Sequence, residues 1–284
     1  MYMKPSLVSV VIPVFNGQKT LTECLESICD QDHASYEIVV VDNNSTDDTK
    51  AIIQSFQGRN KKIKYVFEPI RRRGAARYTG EQQVAGDVVL MTDADCIVAT
   101  DWISQMVAPI LRGEEIAVQG MANPVNEKDY WIQQYQQERK RIMYERIQDK
   151  KIGLLDTANF AIKTDVLREI GYTNPHMIYA NDVELQVRLL LSGHHLCFLP
   201  VAVKHHHLAW SWGLIRKMMV RGREDRLVRK MYRDHEHLFI PWEWKQEILF
   251  FESLLREWKE KKLEVKYVLV SGLGWRLGRL LGSF

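Results

Sequence analysis

The alternation of short apolar runs with helical segments confines this chain to few architectures. Leu7 to Val14, Tyr36 to Val41, Ile63 to Phe67 and Val88 to Met91 are brief and rich in β-branched residues. The first, second and fourth read as buried strands and the third as a strand. Between them lie segments of helical spacing. Thr20 to Ile28 sets Leu21, Cys24, Leu25 and Ile28 on one face. Ser45 or Thr46 can cap a second helix with Asp47 and Asp48 in its first turn, and Gly74 to Val84 predicts a third. Strand and helix in strict succession point to an α/β fold with a largely parallel sheet and right-handed crossovers.

Ligands of such sheets bind beyond the carboxyl ends of the strands. Asn16 follows the first run, Asp42 ends the second, and Val88–Met91 leads through Thr92 to Asp93-Ala94-Asp95. Side chains two apart on a strand share a face, so Asp93 and Asp95 can enter one site. Two adjacent carboxylates repel, and a divalent cation carrying a phosphate relieves that repulsion. A polar turn at a strand end explains any one of these acids; the set favours a site.

Other classes fit less well. No GxGxxG follows the first run, and no GxxxxGK[ST] occurs anywhere. A phosphorylation receiver domain would leave more than half of the chain unexplained. The four cysteines, Cys24, Cys29, Cys96 and Cys197, form no CxxC pair, so neither a zinc site nor a disulfide framework is indicated. A net charge of +3 does not by itself imply nucleic acid. No run suits a transmembrane helix or a signal peptide, and a reducing cytoplasmic compartment is the expectation.

Taken in order, SVVIPVFNG, VVVDNNSTDDT, RRRGAARYTG, TDADC, TANFAIKTDVLREIGY, ANDVELQVRLLLSG and VAVKHHH resemble a family 2 glycosyltransferase of the GT-A fold. The resemblance spans about residues 7–230. It implies a catalytic domain over 1–232 and a carboxy-terminal amphipathic helical extension over 233–284. It also implies a nucleoside diphosphate sugar donor, with UDP favoured, and inverting transfer to a hydroxyl of a polysaccharide or lipid-linked glycan in cell-envelope biosynthesis. Pro13, Phe15, Asn16 and Asp42 are expected at the base or ribose, Arg77 at the diphosphate, and Asp93 at the ribose and sugar. Asn159, within the stretch 156–159, is expected beside the donor sugar; an edge strand with a polar turn explains that stretch equally well. Asp95 and His205 are expected to hold Mn²⁺ or Mg²⁺. Asp182 takes the place of the family's general base, and Asn181 stands where many relatives have Glu.

Some features keep plainer readings. Arg71, Arg72 and Arg73 read as a solvated loop, and His206 and His207 as surface histidines. Glu127 to Arg146 reads as a helix or a mobile segment. From Arg216 to Arg233 basic residues interleave with Met and Leu as on an amphipathic helix, and Arg221 and Arg223 also suit the diphosphate side. Lys266 to Phe284 suits an in-plane helix on an anionic membrane surface, or packing on the catalytic domain or on the partner of a homodimer. The competing class is a catalytically inactive glycan- or nucleotide-binding protein, or a membrane scaffold, within an envelope-assembly complex. Retention of Asp93, Asp95 and Asp182 argues against it. A nucleotidyltransferase would need a glycine-rich start that is absent here.

Overall fold

The computed structural model describes residues 6–125, 155–206 and 212–239, together with 277 and 279. The chain divides into two compact units, Met1–Met177 with Asn181–His207, and Ile178–Ala180 with Leu208–Phe284.

The first unit is built on one eight-stranded sheet. Its elements in chain order are β1 (Val8–Val14), α1 (Leu21–Cys29), β2 (Tyr36–Asp42), α2 (Thr49–Arg59), β3 (Ile63–Phe67), α3 (Arg73–Glu81), β4 (Val88–Thr92), β5 (Cys96–Ile97), α4 (Trp102–Leu111), β6 (Ala117–Pro124), β7 (Asn159–Lys163), α5 (Thr164–Glu169), α6 (Asn181–Leu191) and β8 (Leu196–His205). The strand order is β3-β2-β1-β4-β7-β6-β8-β5. The first four of these are parallel, as the alternation predicts. The second half is mixed. β7 runs antiparallel to both β4 and β6, β6 and β8 are parallel, and β5 is antiparallel to β8.

This order brings remote segments to one edge. β1, β2 and β4 all end there. β7 runs the other way and begins there, with Asn159 opposite Thr92. β6 opposes β7, so β6 and β8 point the same way as β4, and β8 ends at that edge with His205. β7 is therefore an interior strand, which removes the edge-strand reading of residues 156–159.

Side-chain alternation splits the core into two layers. Val8, Val10, Ile12, Ile38, Val40 and Leu90 pack on α1, α2 and α4 through Leu21, Leu25, Ile53, Trp102 and Met106. Val11, Val39, Val41, Val89, Met91 and Phe160 face the other way, onto Ala76, Leu167, Leu185 and Leu189. The α6 core face is thus Leu185 and Leu189. Val187 is also fully buried, whereas Val183 and Leu190 are half-buried.

Helix α2 corrects another expectation. It starts at Thr49 with no side-chain cap, and Asp47 and Asp48 precede it. Asp47 instead closes a turn, its Oδ1 accepting from the Thr49 N–H and its Oδ2 from the Gln18 N–H. Pro13 is tolerated within β1 because the β1–β4 ladder ends at Val11 and Met91.

In the second unit, α7 (Trp212–Met231) carries the basic stretch, and a 3₁₀ helix (Arg233–Leu238) follows it. No helix among the described residues is long and apolar enough to cross a membrane. Glu127 to Arg146 and His207 lie outside the described residues, as does most of Lys266 to Phe284.

Candidate active site

At the end of β1, Phe15 is exposed and Asn16 adopts φ 51°, a left-handed conformation that Asn tolerates. Asn16 ties two loops together: its Oδ1 accepts from the Thr46 N–H at 2.9 Å, and its own N–H donates to Ser45 Oγ at 3.0 Å. Arg71 lies over the Phe15 ring, 5.2 Å from its centroid. An aromatic face topped by a guanidinium suits a flat, anionic ligand.

Asp42, at the end of β2, is buried. It accepts from the Ser45 N–H at 2.9 Å and from the Tyr65 hydroxyl at 3.1 Å. Burial and the Asp42 carboxylate push the Tyr65 phenol up to about 12. Each Asp42 oxygen keeps acceptor capacity.

The strongest electrostatic feature lies beyond β4. Arg77, on α3, is buried and donates from Nη2 to Asp93 Oδ1 at 2.7 Å. Arg77 Nε has no hydrogen-bond partner among the described residues. Burial pushes the Asp93 carboxyl up, but Arg77, Arg73 and His205 outweigh it and hold the group below the usual carboxylate range. Asp95 goes the other way. Burial and the Asp93 charge raise it, and His205 and Arg73 offset them only in part. His205 Nε2 lies 3.4 Å from Asp95 Oδ1, and the His206 N–H donates to the Asp95 carbonyl at 2.9 Å.

Asp95, Cys96 and His205 offer donor atoms within 4.8 Å of one another. Burial drives the Cys96 thiol well above its usual value, so it stays protonated and is a poor ligand as it stands. A carboxylate and an imidazole facing each other beside a second acid fit a divalent ion, and the imidazole favours Mn²⁺ over Mg²⁺.

Arg73 is exposed, as expected, but it lies on a helix rather than in a loop. It opens α3 one turn before Arg77, and its charge acts on both Asp93 and Asp95. That four-residue spacing was the signal for it. The neighbouring Gly74 is required by close approach: a Cβ there would lie 2.2 Å from the Asn174 carbonyl oxygen. His206 also has a specific partner, Glu23 of α1, at 3.2 Å.

Asn159 differs from expectation. It is fully buried, and its two amide hydrogens go to the Met121 and Val201 carbonyls, each at 2.9 Å. Its Oδ1 accepts from Trp102 Nε1 at 2.9 Å. No side-chain hydrogen is left for a sugar, and the residue braces β7 against α4, β6 and β8. The turn before it is fixed by Gln119, whose Oε1 accepts from the Asp156 N–H and whose Nε2 donates to the Asp156 carbonyl.

At the start of α6, Asn181 and Asp182 are both buried. Asp182 Oδ1 accepts from the Val183 N–H at 2.8 Å. The Asn181 Nδ2 has no hydrogen-bond partner among the described residues.

The sequence profile of glycosyl transferase family 2 matches residues 9–171, over half of the chain. The chain belongs to that family. The glycosyltransferase is 26% identical over 220 residues to glycosyltransferase AglE of Haloferax volcanii, covering 76% of this chain and 72% of the relative. Over 89 residues it is 37% identical to the GalNAc(5)-diNAcBac-PP-undecaprenol beta-1,3-glucosyltransferase of Campylobacter jejuni, covering 31% of this chain and 29% of that one. Among solved structures it resembles the mannosyltransferase PcManGT of Pyrobaculum calidifontis, in complex with GDP-Man and Mn²⁺. There the TM-score is 0.64 at 18% identity, covering 97% of this chain and 84% of that one. It also resembles S. aureus TarS 1-349 in complex with UDP-GlcNAc, with a TM-score of 0.60 at 21% identity, covering 78% and 66%. These likenesses establish the GT-A fold.

Proposed function

We propose that this glycosyltransferase moves a sugar from a nucleoside diphosphate sugar to a hydroxyl acceptor with inversion at the anomeric carbon. The observation that carries the reading is the convergence of Asp93, Asp95 and His205 at one edge of the sheet, with Arg77 Nη2 2.7 Å from Asp93 Oδ1 and His205 Nε2 3.4 Å from Asp95 Oδ1. Phe15, Asn16 and Asp42 take the base and ribose, with Pro13 shaping the strand end. Asp93, locked by Arg77, orients the ribose and sugar. Asp95 and His205 would hold a divalent ion, whose chemistry there would be to offset negative charge on the diphosphate leaving group. Asp182 takes the proton of the acceptor hydroxyl as that oxygen attacks from the face opposite the leaving group.

UDP is favoured as the donor nucleotide by the family resemblance, although the neighbours named above include one with GDP-Man and one with UDP-GlcNAc. The undecaprenol-linked acceptor in the Campylobacter relative's name supports a lipid-linked or polysaccharide acceptor in envelope assembly. Such an acceptor would bring the chain to the cytoplasmic face of a membrane, where the exposed Arg223, Arg226 and Lys230 of α7 suit anionic lipid.

Calorimetry with UDP and with GDP, each with Mn²⁺ and with a chelator, tests the donor site. Metal-dependent binding of one nucleotide is expected, and binding of neither by folded protein would overturn the reading. Asp182→Asn should abolish turnover while leaving nucleotide affinity within about twofold; undiminished turnover would remove the base assignment.

A further inference from the structure

The peptide just before the Asn181–Asp182 pair is held in an unusual way. Glu224, on α7, receives three successive backbone N–H groups on one carboxylate. Ile178 donates to Oε1 at 2.8 Å, and Tyr179 and Ala180 donate to Oε2 at 2.7 and 2.9 Å. Successive N–H groups that converge on one point form a concavity that binds an anion. Here the protein supplies that anion itself. The three donors are the residues that directly precede α6 in the chain. Hydrogen bonds to an ionised acceptor are roughly twice as strong as neutral ones. The tripeptide is therefore fixed at each of its donors by one side chain.

We propose that Glu224 is a positioning residue for Asp182. The inference rests on the base role argued above and adds what sets that base in place. Ala180 is two residues from Asp182, so the direction of the peptide leaving Ala180 fixes where the Asp182 carboxylate stands. A general base must lie within hydrogen-bond reach of the proton it removes, and a misplacement of about 1 Å can cost about a hundredfold in rate. Three converging bonds restrict that freedom more than one N-cap would. The next residue, Asp225, is engaged elsewhere: it lies 3.4 Å from Arg229 and 3.4 Å from Arg279. Asp225 thus offers a control on the same helix that leaves the Glu224 bonds untouched.

The test uses the full chain with Mn²⁺, with UDP-GlcNAc and GDP-mannose as donor probes and water as the acceptor. Release of nucleoside diphosphate is followed for wild type, Glu224→Ala, Glu224→Gln, Asp225→Asn and Asp182→Asn. Amide hydrogen exchange across residues 178–180 is measured alongside. Glu224→Ala should lower kcat by about 10–100-fold, with donor KM within about twofold and faster exchange confined to 178–180. Glu224→Gln keeps the shape and an acceptor oxygen but loses the charge, so its kcat should fall between wild type and Glu224→Ala. Asp225→Asn should leave both exchange at 178–180 and kcat near wild type. An inactive Asp182→Asn together with an unchanged kcat in Glu224→Ala would overturn the positioning role while sparing the base. A fully active Asp182→Asn would overturn the base reading, and the positioning role with it. Equal losses of kcat and of thermal stability in Glu224→Ala and Asp225→Asn would reduce Glu224 to a structural strut.

Discussion

Replacing Asn159 by Ala separates a brace from a ligand. The side chain is wholly buried and makes three hydrogen bonds, to the Met121 and Val201 carbonyls and from Trp102 Nε1. Truncation strands the indole N–H in the core and strips one partner from each carbonyl. A buried polar group left unsatisfied costs about 1–3 kcal/mol. Carbonyls, with two lone pairs, belong at the lower end of that range and the indole donor nearer the middle, so the expected loss is about 3–5 kcal/mol. Gly120 limits any rescue by repacking, because its backbone lies so close that a Cβ there would fall 2.2 Å from Asn159 Nδ2. Urea denaturation of metal-free protein measures the loss, and calorimetry with the nucleotide measures donor affinity in the folded variant. Asn159→Asp sharpens the result. It keeps the acceptor for Trp102 but sets a carboxylate against two carbonyl oxygens, so the buried acid is raised and the variant loses stability as pH rises through that raised value. Its deficit should therefore shrink toward acid. A loss below about 1 kcal/mol in Asn159→Ala, or a donor affinity that collapses while stability holds, would refute the brace.

Other outcomes follow from the same geometry. Arg77→Met leaves the partly buried Asp93 without its nearest cation and should cost up to about 3 kcal/mol near neutral pH. In the wild type Asp93 is depressed, so its contribution is present above the unfolded value and lost as pH falls; without Arg77 the group moves up, and the variant's deficit in urea denaturation should narrow on acidification. Asp95→Ala should weaken Mn²⁺ binding by more than tenfold, read by the paramagnetic relaxation of water, and an unchanged affinity would remove Asp95 from the ligand set. Gly74→Ala forces a methyl against the Asn174 and Met177 carbonyls and should destabilise by about 1–3 kcal/mol, measured by thermal unfolding. A neutral result would mean that the 174–177 loop can yield.

The parts of this protein legible in its sequence are those governed by local period. Alternation along β1, β2 and β4 marks both core layers, and the 3–4 spacing of Leu21, Cys24, Leu25 and Ile28 marks the buried face of α1. The acids at strand ends stand out because a buried run stops at each of them. Pairing was harder to read, since residues 159–163 announce a strand but carry no sign of running antiparallel between β4 and β6. Asn159 illustrates the same limit. An Asn at a strand start looks alike whether it meets a sugar or Trp102, and the choice depends on Gly120 and Trp102, both distant in sequence. Glu224 was hidden for a different reason. Either of the two adjacent acids in a basic helix reads as charge balance until folding brings residues 178–180 to Glu224.

The position of His205 sets an order of assembly. It ends the last strand of the first unit, whereas Asp95 is made 110 residues earlier (205 − 95). At about 5–20 residues per second, a ribosome adds the imidazole roughly 5–20 s after the carboxylate. On the proposed ligand assignment, a nascent chain carries the carboxylate of the metal site well before its imidazole. On that same assignment, selection of the metal belongs to the completed fold, because the imidazole joins the site only once β8 is in place.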